Sequence, residues 1–289
     1  MALKNIEKLI PPGEVHMVGD GFRMQNYIPF EVSMERMNPI IGLDFNPAMH
    51  INPSHKPRGV GAHPHRGFET VTIAYKGAVE HNDSFGGGGA ISQGDVQWMT
   101  AGSGVLHKEY HEKQFSEHGG DFELVQLWIN LPAKYKMVKP GYQPLSHENL
   151  GKYTLPDKGG VVEIIAGEYE KIKGLATTFS PIHMYNIRMT KGGKADFSFP
   201  ASYNTGLLVI EGGIKVNGKN VPAEQFVLFE NKGEDFSIDA LENTVVLLLS
   251  GKPLNEPIVE HGPFVMNTES EIREAYNDFR IGKFGYLED

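Results

Sequence analysis

The chain of 289 residues contains no cysteine. Disulfides, zinc ribbons, iron–sulfur clusters and thiol nucleophiles are therefore excluded, and any metal must be held by histidine and carboxylate. Positive charge is in deficit, with 27 Lys and Arg against 36 Asp and Glu and a formal net charge of −9. That balance argues against direct nucleic-acid binding or adhesion to an anionic membrane, and leaves a protein partner open. Long apolar runs are missing too. The longest aliphatic stretch, Val245 to Leu249, falls far short of the roughly 20 residues of a membrane span. The opening MALKNIEKLIPPGE has no signal-peptide core and meets Pro11-Pro12 early, so a cytoplasmic location is expected.

What is present is a rhythm of short β-strands. Length alone predicts two domains of about 100–200 residues each. Glu69 to Tyr75 sets Val71, Ile73 and Tyr75 against Thr70, Thr72 and Ala74, the alternation of a strand. Ile41–Phe45, Val96–Met99, Val105–His111 and Leu124–Leu131 are further strands, and Asn46–Gly61 reads as a loop. Such short strands with glycine turns suggest a closed sandwich or barrel. Residues 1–30 look like edge strands or an arm around the first domain. Lys134 to Gly160, with Pro140, Pro144 and Pro156, reads as the interdomain connection, so domains are expected at 1–140 and 141–289. Gly206–Gly212 then restates Glu69–Gly77, and Gln225–Phe229 restates Val96–Met99, at offsets of roughly 130–135 residues, the mark of a duplicated β-domain. At the end, Thr268-Glu269-Ser270-Glu271 fits a capping box. Ile272, Ala275, Tyr276 and Phe279 follow at helical spacing, predicting a short amphipathic helix over 268–281.

The chemistry concentrates between Gly61 and Glu109. Successive strand residues face opposite ways, so His63 and His65 share a face, as do His107 and Glu109. If both pairs face into a barrel, three imidazoles and one carboxylate converge, enough for a metal site with about two octahedral positions left open. The alternative is a buried polar network without an ion. Glu69 has the same odd parity if the strand runs unbroken through Arg66-Gly67, making it a reserve ligand or a group that orients an imidazole. His81 and His111 could line the mouth of the site but are left out of the ligand set. His16, His50, His55, His147 and His261 are isolated and carry no functional reading. The run Gly86–Gly89 lacks the lysine of a phosphate loop and reads as a hairpin tip. Aligning Gly212 with Gly77 sets Ser198 and Pro200 opposite His63 and His65, and Asn204 opposite Glu69, so the second domain is expected to be metal-free. Neutral ligand imidazoles would make metal affinity fall below about pH 6.5.

The segment HPHRGFETVTIAYKGAVEHND…GDVQWMTAGSGVLHKEYH and the tail EPIVEHGPFVMNTESEIREAYNDFRIGKFG resemble the pirin family of the cupin superfamily. The resemblance implies an all-β fold of two tandem antiparallel cupin barrels, and one non-haem iron in the N-terminal barrel. The family's ligands fall on His63, His65, His107 and Glu109; cupins in general place the carboxylate where Glu69 stands. Fe(II) is favoured by the family, with Mn(II), Co(II), Ni(II), Cu(II) or Zn(II) as other candidates. Several pirin-like proteins resemble quercetinases, which implies a dioxygenase opening a flavonoid substrate such as quercetin with O₂, Glu109 or Glu69 serving as base. A second implication is a redox-dependent regulator that binds a transcription or metabolic protein. A metal-dependent isomerase or hydrolase is a third.

Overall fold

The alternating stretches become antiparallel strands in a computed structural model that describes residues 2–288. They form two units. The N-terminal unit comprises Glu14–Phe30, Ile40–His147 and Leu254–Asp289; the C-terminal unit comprises Met1–Gly13, Glu31–Pro39 and Glu148–Pro253. Each unit pairs one seven-stranded sheet with one four-stranded sheet. No helix among the described residues is long and apolar enough to cross a membrane.

In the N-terminal unit the large sheet runs in the order Gly141–Leu145, Val96–Thr100, Phe68–Lys76, Gly120–Asn130, Ile40–Ile51, Phe22–Ile28 and Val15–Val18. The small sheet is Gly59–His65, Val105–His111, Val79–Asp83 and Gly88–Ile91. The expected loop after Asn46 is in fact strand as far as Ile51. Its ladder shifts register between Phe122/Met49 and Leu124/Asn46, and this bulge accommodates Pro47, which has no N–H to give.

The C-terminal unit repeats the plan. Its large sheet is Ile6–Ile10, Phe226–Phe229, Asn204–Glu211, Thr244–Gly251, Ile182–Met189, Gly160–Ala166 and Gly151–Thr154. Its small sheet is Lys194–Ser198, Asp235–Ala240, Gly213–Val216 and Lys219–Pro222. Two expected boundaries therefore shift. Ile6–Ile10 is an edge strand of the C-terminal unit, held by its ladder to Phe226–Phe229, not an arm on the first domain. The tail from Leu254 belongs to the N-terminal unit.

The tail is fixed there by buried charge. Arg66, almost wholly buried, pairs with Asp278 at 2.8 Å and lies 4.9 Å from the centre of the Phe284 ring. The Lys136 ammonium donates to three oxygens, on Gly67, Asn130 and Val265, at 2.7–2.8 Å. The helix Glu269–Arg280 starts on the expected box, the Thr268 hydroxyl accepting from the Glu271 amide and donating to the Glu271 carboxylate. Ile272 and Ala275 pack with Phe264, Met266 and Phe284, while Phe279 is exposed and Asp278 is buried in its place by the ion pair.

The paired registers also fix the internal correspondence. In the N-terminal unit Val79 pairs with His111, His81 with Glu109, and His107 with His63. In the C-terminal unit Ile214 pairs with Ala240, Val216 with Ile238, and Phe236 with Phe197. Phe197, Phe199 and Phe236 thus occupy the positions of His63, His65 and His107, and Ile238 that of Glu109. Ser198 and Pro200 are one residue out of register. The connection from Phe199 to Asn204 is one residue longer than that from His65 to Glu69, and a one-residue slip reverses the face.

Two outcomes test this packing. Asp278→Ala leaves the Arg66 guanidinium buried without its carboxylate and is expected to cost about 3 kcal/mol, read by urea unfolding; an unchanged midpoint would mean that the tail is held without the pair. Burial raises the Glu69 carboxyl from 4.5 to about 7, partly offset by the Thr100 hydroxyl 2.8 Å away. Between those values the folded state keeps a proton that the unfolded state releases, so this group costs stability as pH rises through the window. Glu69→Gln should gain on the parent from pH 4.5 to 7 and hold a constant advantage above it, in denaturation series at stepped pH.

Candidate metal centre

Three imidazoles meet because two neighbouring strands pair in one register. His63 lies opposite His107 on the strands Gly59–His65 and Val105–His111, and His65 lies one inward position along. The ring centres are 4.2 Å apart for His63 and His107, 4.8 Å for His65 and His107, and 4.9 Å for His63 and His65. Their candidate ligand nitrogens all fall within 4.8 Å of one another. His65 and His107 are buried and His63 is half-buried, so the cluster opens on the His63 side.

Each ring has one nitrogen already engaged. His63 Nδ1 lies 2.8 Å from the Gly61 carbonyl and His65 Nδ1 lies 3.2 Å from that of Pro263. A carbonyl only accepts, so both rings carry the proton on Nδ1 and present an Nε2 lone pair. His107 Nδ1 lies 3.3 Å from His81 Nδ1, and His107 Nε2 is buried with no hydrogen-bond partner. If His107 donates to His81, His81 carries its own proton on Nε2, which is 3.8 Å from the Asp83 carboxylate. Burial first, then the neighbouring His63, pulls the His65 pKa down to about 3; the same causes hold His107 well below the ordinary imidazole value. These two rings are neutral without any metal, so the expected loss of affinity below pH 6.5 cannot come from them.

Glu109 lies on the same face of its strand as His107 and is 4 % exposed. Its Oε1 accepts from Gln97 at 2.6 Å and Thr72 at 3.1 Å, and its Oε2 from Gln126 at 2.7 Å. The Gln97 amide oxygen accepts from Tyr142 at 3.4 Å, which turns its NH₂ toward Glu109. Glu109 falls in a second cluster with His81 and His107, ligand atoms again within 4.8 Å. His107 is common to both.

Glu69 is not brought to this point. Thr72 reaches Glu109, so the even residues of Phe68–Lys76 face the site and Glu69 faces away, accepting from Thr100. The strand is not continuous: Gly67, at φ +87, breaks the parity between His65 and Glu69. His111 is structural, its Nε2 donating to the Gly21 carbonyl at 2.9 Å amid Phe22, Phe115 and Phe122. His81 does contact the centre, stacked on Tyr142 and bonded to His107. Thr72, Gln97 and Gln126 were missed by the sequence reading, although a glutamine amid apolar strand residues, as in Val96–Met99 and Leu124–Trp128, is a legible sign of a buried polar partner.

The donor set is nitrogen and carboxylate oxygen, suited to borderline divalent ions, and the partnerless His107 Nε2 fits a ligand nitrogen. The cavity beside it is small, about 30 Å³, between Val18, Phe22, Met24, Val60, His63, Thr72, Val79, Glu109, Leu124 and Gln126.

Comparison with known proteins agrees with this arrangement. Residues 21–129 match the family model described as Pirin, and residues 184–285 the Pirin C-terminal cupin domain. A Pseudomonas aeruginosa protein, provisionally named a quercetin 2,3-dioxygenase, is 41% identical over 93% of this chain and 94% of its own length. The crystal structure of a quercetin 2,3-dioxygenase from Acinetobacter baumannii superposes with a TM-score of 0.94 at 45% identity, covering 99% of this chain and 100% of that one. A bacterial pirin from Escherichia coli, solved in complex with nickel(II), shares the fold at 20% identity and a TM-score of 0.67, over 85% of this chain and 99% of that one. With two cupin-type units, a His/Glu cluster in the first and full-length likeness to these relatives, the chain belongs to the pirin family.

Proposed function

We propose that His63, His65, His107 and Glu109 hold one divalent iron and that the chain is a quercetinase-type dioxygenase, opening a flavonol with O₂. The observation that carries this reading is the set of three imidazoles, two with Nδ1 on a carbonyl and the third with a buried, partnerless Nε2, beside a carboxylate held in place. The full-length relatives named for quercetin supply the substrate class. Bound iron would supply Lewis-acid and one-electron chemistry toward O₂ and a flavonol hydroxyl.

The chain's own residues do the rest. Burial delivers His65 and His107 neutral, so binding a cation there requires no proton release from them. Gln97, Gln126 and Thr72 aim the Glu109 carboxylate, and the hydroxyl proton of the substrate would go to that oxygen in exchange for one of the three hydrogen bonds. Val18, Phe22, Met24 and Val60 are apolar walls that exclude water. Glu69, on the far face, takes no part.

A cavity of about 30 Å³ is far below the roughly 300 Å³ of small-molecule pockets. A flavonol enters only if the hairpin Val15–Ile28 moves. Its turn is latched, the Asp20 amide donating to the Gly59 carbonyl at 3.1 Å and the Asp20 carboxylate accepting from the Gly59 amide at 2.7 Å. The same small cavity favours a second reading, a regulator whose iron redox state alters its binding to a protein partner without any large substrate.

Metal content and turnover separate these readings. His63→Ala, His65→Ala and His107→Ala should each lose most of the iron retained through purification without chelator, measured by elemental analysis, while Glu69→Ala keeps it. His81→Ala should weaken retention by about tenfold or more, as removal of a ligand's hydrogen-bond partner does. With two rings already neutral, affinity should fall no more than about tenfold per pH unit between pH 7.5 and 5.5, not the roughly thousandfold of three imidazoles titrating together. On quercetin, Met24→Ala combined with Val60→Ala should raise kcat/KM several-fold by admitting the ring system. No oxygen uptake by the iron-loaded parent or this variant, with partner capture that differs between Fe(II) and Fe(III), would favour the regulator.

A further inference from the structure

The polar face that serves Glu109 runs further than its three donors. Asn26 pairs with Asp44, Asp44 with Gln126, Gln126 with Thr72, and Thr72 with Gln97, so one cross-strand row spans five neighbouring strands of the large sheet. Residues paired directly across antiparallel strands point to the same face. Thr72, Gln97 and Gln126 turn that face toward Glu109, and Asp44 and Asn26 therefore lie on it too. In the C-terminal unit Val227, Leu207 and Leu248 hold the places of Gln97, Thr72 and Gln126, and Tyr185 that of Asp44. Most of the row is apolar there, so the frame does not require a carboxyl at this position.

The inner three residues are spent on Glu109, and the outer two are not. Among the described residues the Asp44 carboxyl has one hydrogen-bond partner, the Asn26 amide, and no cation pairs with it. The other polar atom of that amide, Oδ1, is buried without a partner. Turning the amide over only exchanges which of its atoms is left over. Burial raises the Asp44 carboxyl from 3.8 to about 7, the Asn26 hydrogen bond only partly opposing it, so near neutral pH it donates as well as accepts. Both residues are half-buried, and both border the metal centre. Met24, one inward position along from Asn26, and Gln126, directly across from Asp44, line the small cavity together with His63 and Glu109.

Asn26 belongs to the hairpin Val15–Ile28, which has to shift for a flavonol to enter. Asp44 is on the next strand, anchored by its ladder to Gly120–Asn130. Such a shift takes from the Asp44 carboxyl its one partner, which is costly for a buried polar group unless another takes its place. A hydroxyl both donates and accepts, so it meets Asp44 in either protonation state and Asn26 in either amide orientation. Asp44 stands two strands beyond Thr72, roughly 10 Å across the sheet, so a hydroxyl held there is remote from the one at Glu109. We propose that Asp44, with Asn26, is the specificity-determining pair of this site. It hydrogen-bonds a second hydroxyl of an aromatic substrate whose first hydroxyl goes to Glu109, and so selects polyhydroxylated over monohydroxylated substrates. The assignment rests on the dioxygenase reading of the metal centre.

Anaerobic titration of the iron-loaded chain with quercetin and with 3-hydroxyflavone reads the pair without turnover. The second probe keeps the reacting hydroxyl and its neighbouring carbonyl and lacks every other hydroxyl. The parent should bind quercetin at least about tenfold more tightly. Asp44→Leu should bring the two affinities within about twofold by weakening quercetin alone, whereas Asp44→Asn, which still hydrogen-bonds, should keep most of the preference. Asn26→Ala, which leaves the carboxyl in place, should lower the preference about threefold. Iron content equal to the parent's shows the centre intact in each variant. Equal affinity of the parent for both flavonols, or a preference indifferent to Asp44→Leu and Asn26→Ala, would overturn the assignment, while oxygen uptake with both flavonols would leave the dioxygenase reading standing. A preference that depends on Asp44 with no oxygen uptake would do the reverse. Binding of neither flavonol would overturn both.

Discussion

The pairing of His107 with His63 across two neighbouring strands is the constraint on which the N-terminal unit depends. It sets three imidazoles on one face, and the bulge after it lets the strand continue so that Glu109 lies beside His81. Removing these rings from water raises the cost of protonating them, so His65 and His107 remain neutral bases. A polar interior of this kind is stable only when its other hydrogen-bonding atoms are spent. Main-chain oxygens of Gly61 and Pro263 hold two of the rings, and Gln97, Gln126 and Thr72 fill three of the roughly four acceptor sites of the carboxylate. The Pro263 carbonyl comes from the tail, whose position is fixed by the buried Arg66–Asp278 pair. A charge interaction remote in sequence thus helps set the tautomer of a candidate ligand.

The C-terminal unit shows the same frame carrying the opposite solution. Nine interior positions that are polar in one unit are apolar in the other, His81 and His111 among them, with the pairing plan unchanged. The consequence is physical. Where imidazoles and amides interlock there is space for about a water; where phenyl rings replace them, they pack into the apolar core of the unit. The same frame thus carries a cluster of donor atoms in one unit and a packed apolar core in the other.

Much of this was legible in the residues. Alternation along Glu69–Tyr75, the HxH and HxE spacings and the Thr268 capping box each reflect local geometry, which depends on few residues and so survives folding unchanged. Local pattern and structure part where the chain crosses a break. Gly67 interrupts the strand, so parity carried from His65 to Glu69 assigned the wrong face. One extra residue between Phe199 and Asn204 moved the aligned pair from phenylalanines to Ser198 and Pro200. The placement of Ile6–Ile10 and of the tail rests on pairing across the whole length of the chain, for which no local pattern exists.

The central claim is that one ion is held by the Nε2 atoms of His63, His65 and His107, with the Glu109 carboxylate as the fourth ligand. Anomalous diffraction at a metal absorption edge, on crystals of protein purified without chelator, tests it most directly. The account predicts a single peak in the N-terminal unit, in contact with those three nitrogens, and none among Phe197, Phe199 and Phe236. A peak between His81, His107 and Glu109 that leaves His63 and His65 out of contact, or no ordered metal at all, would contradict it.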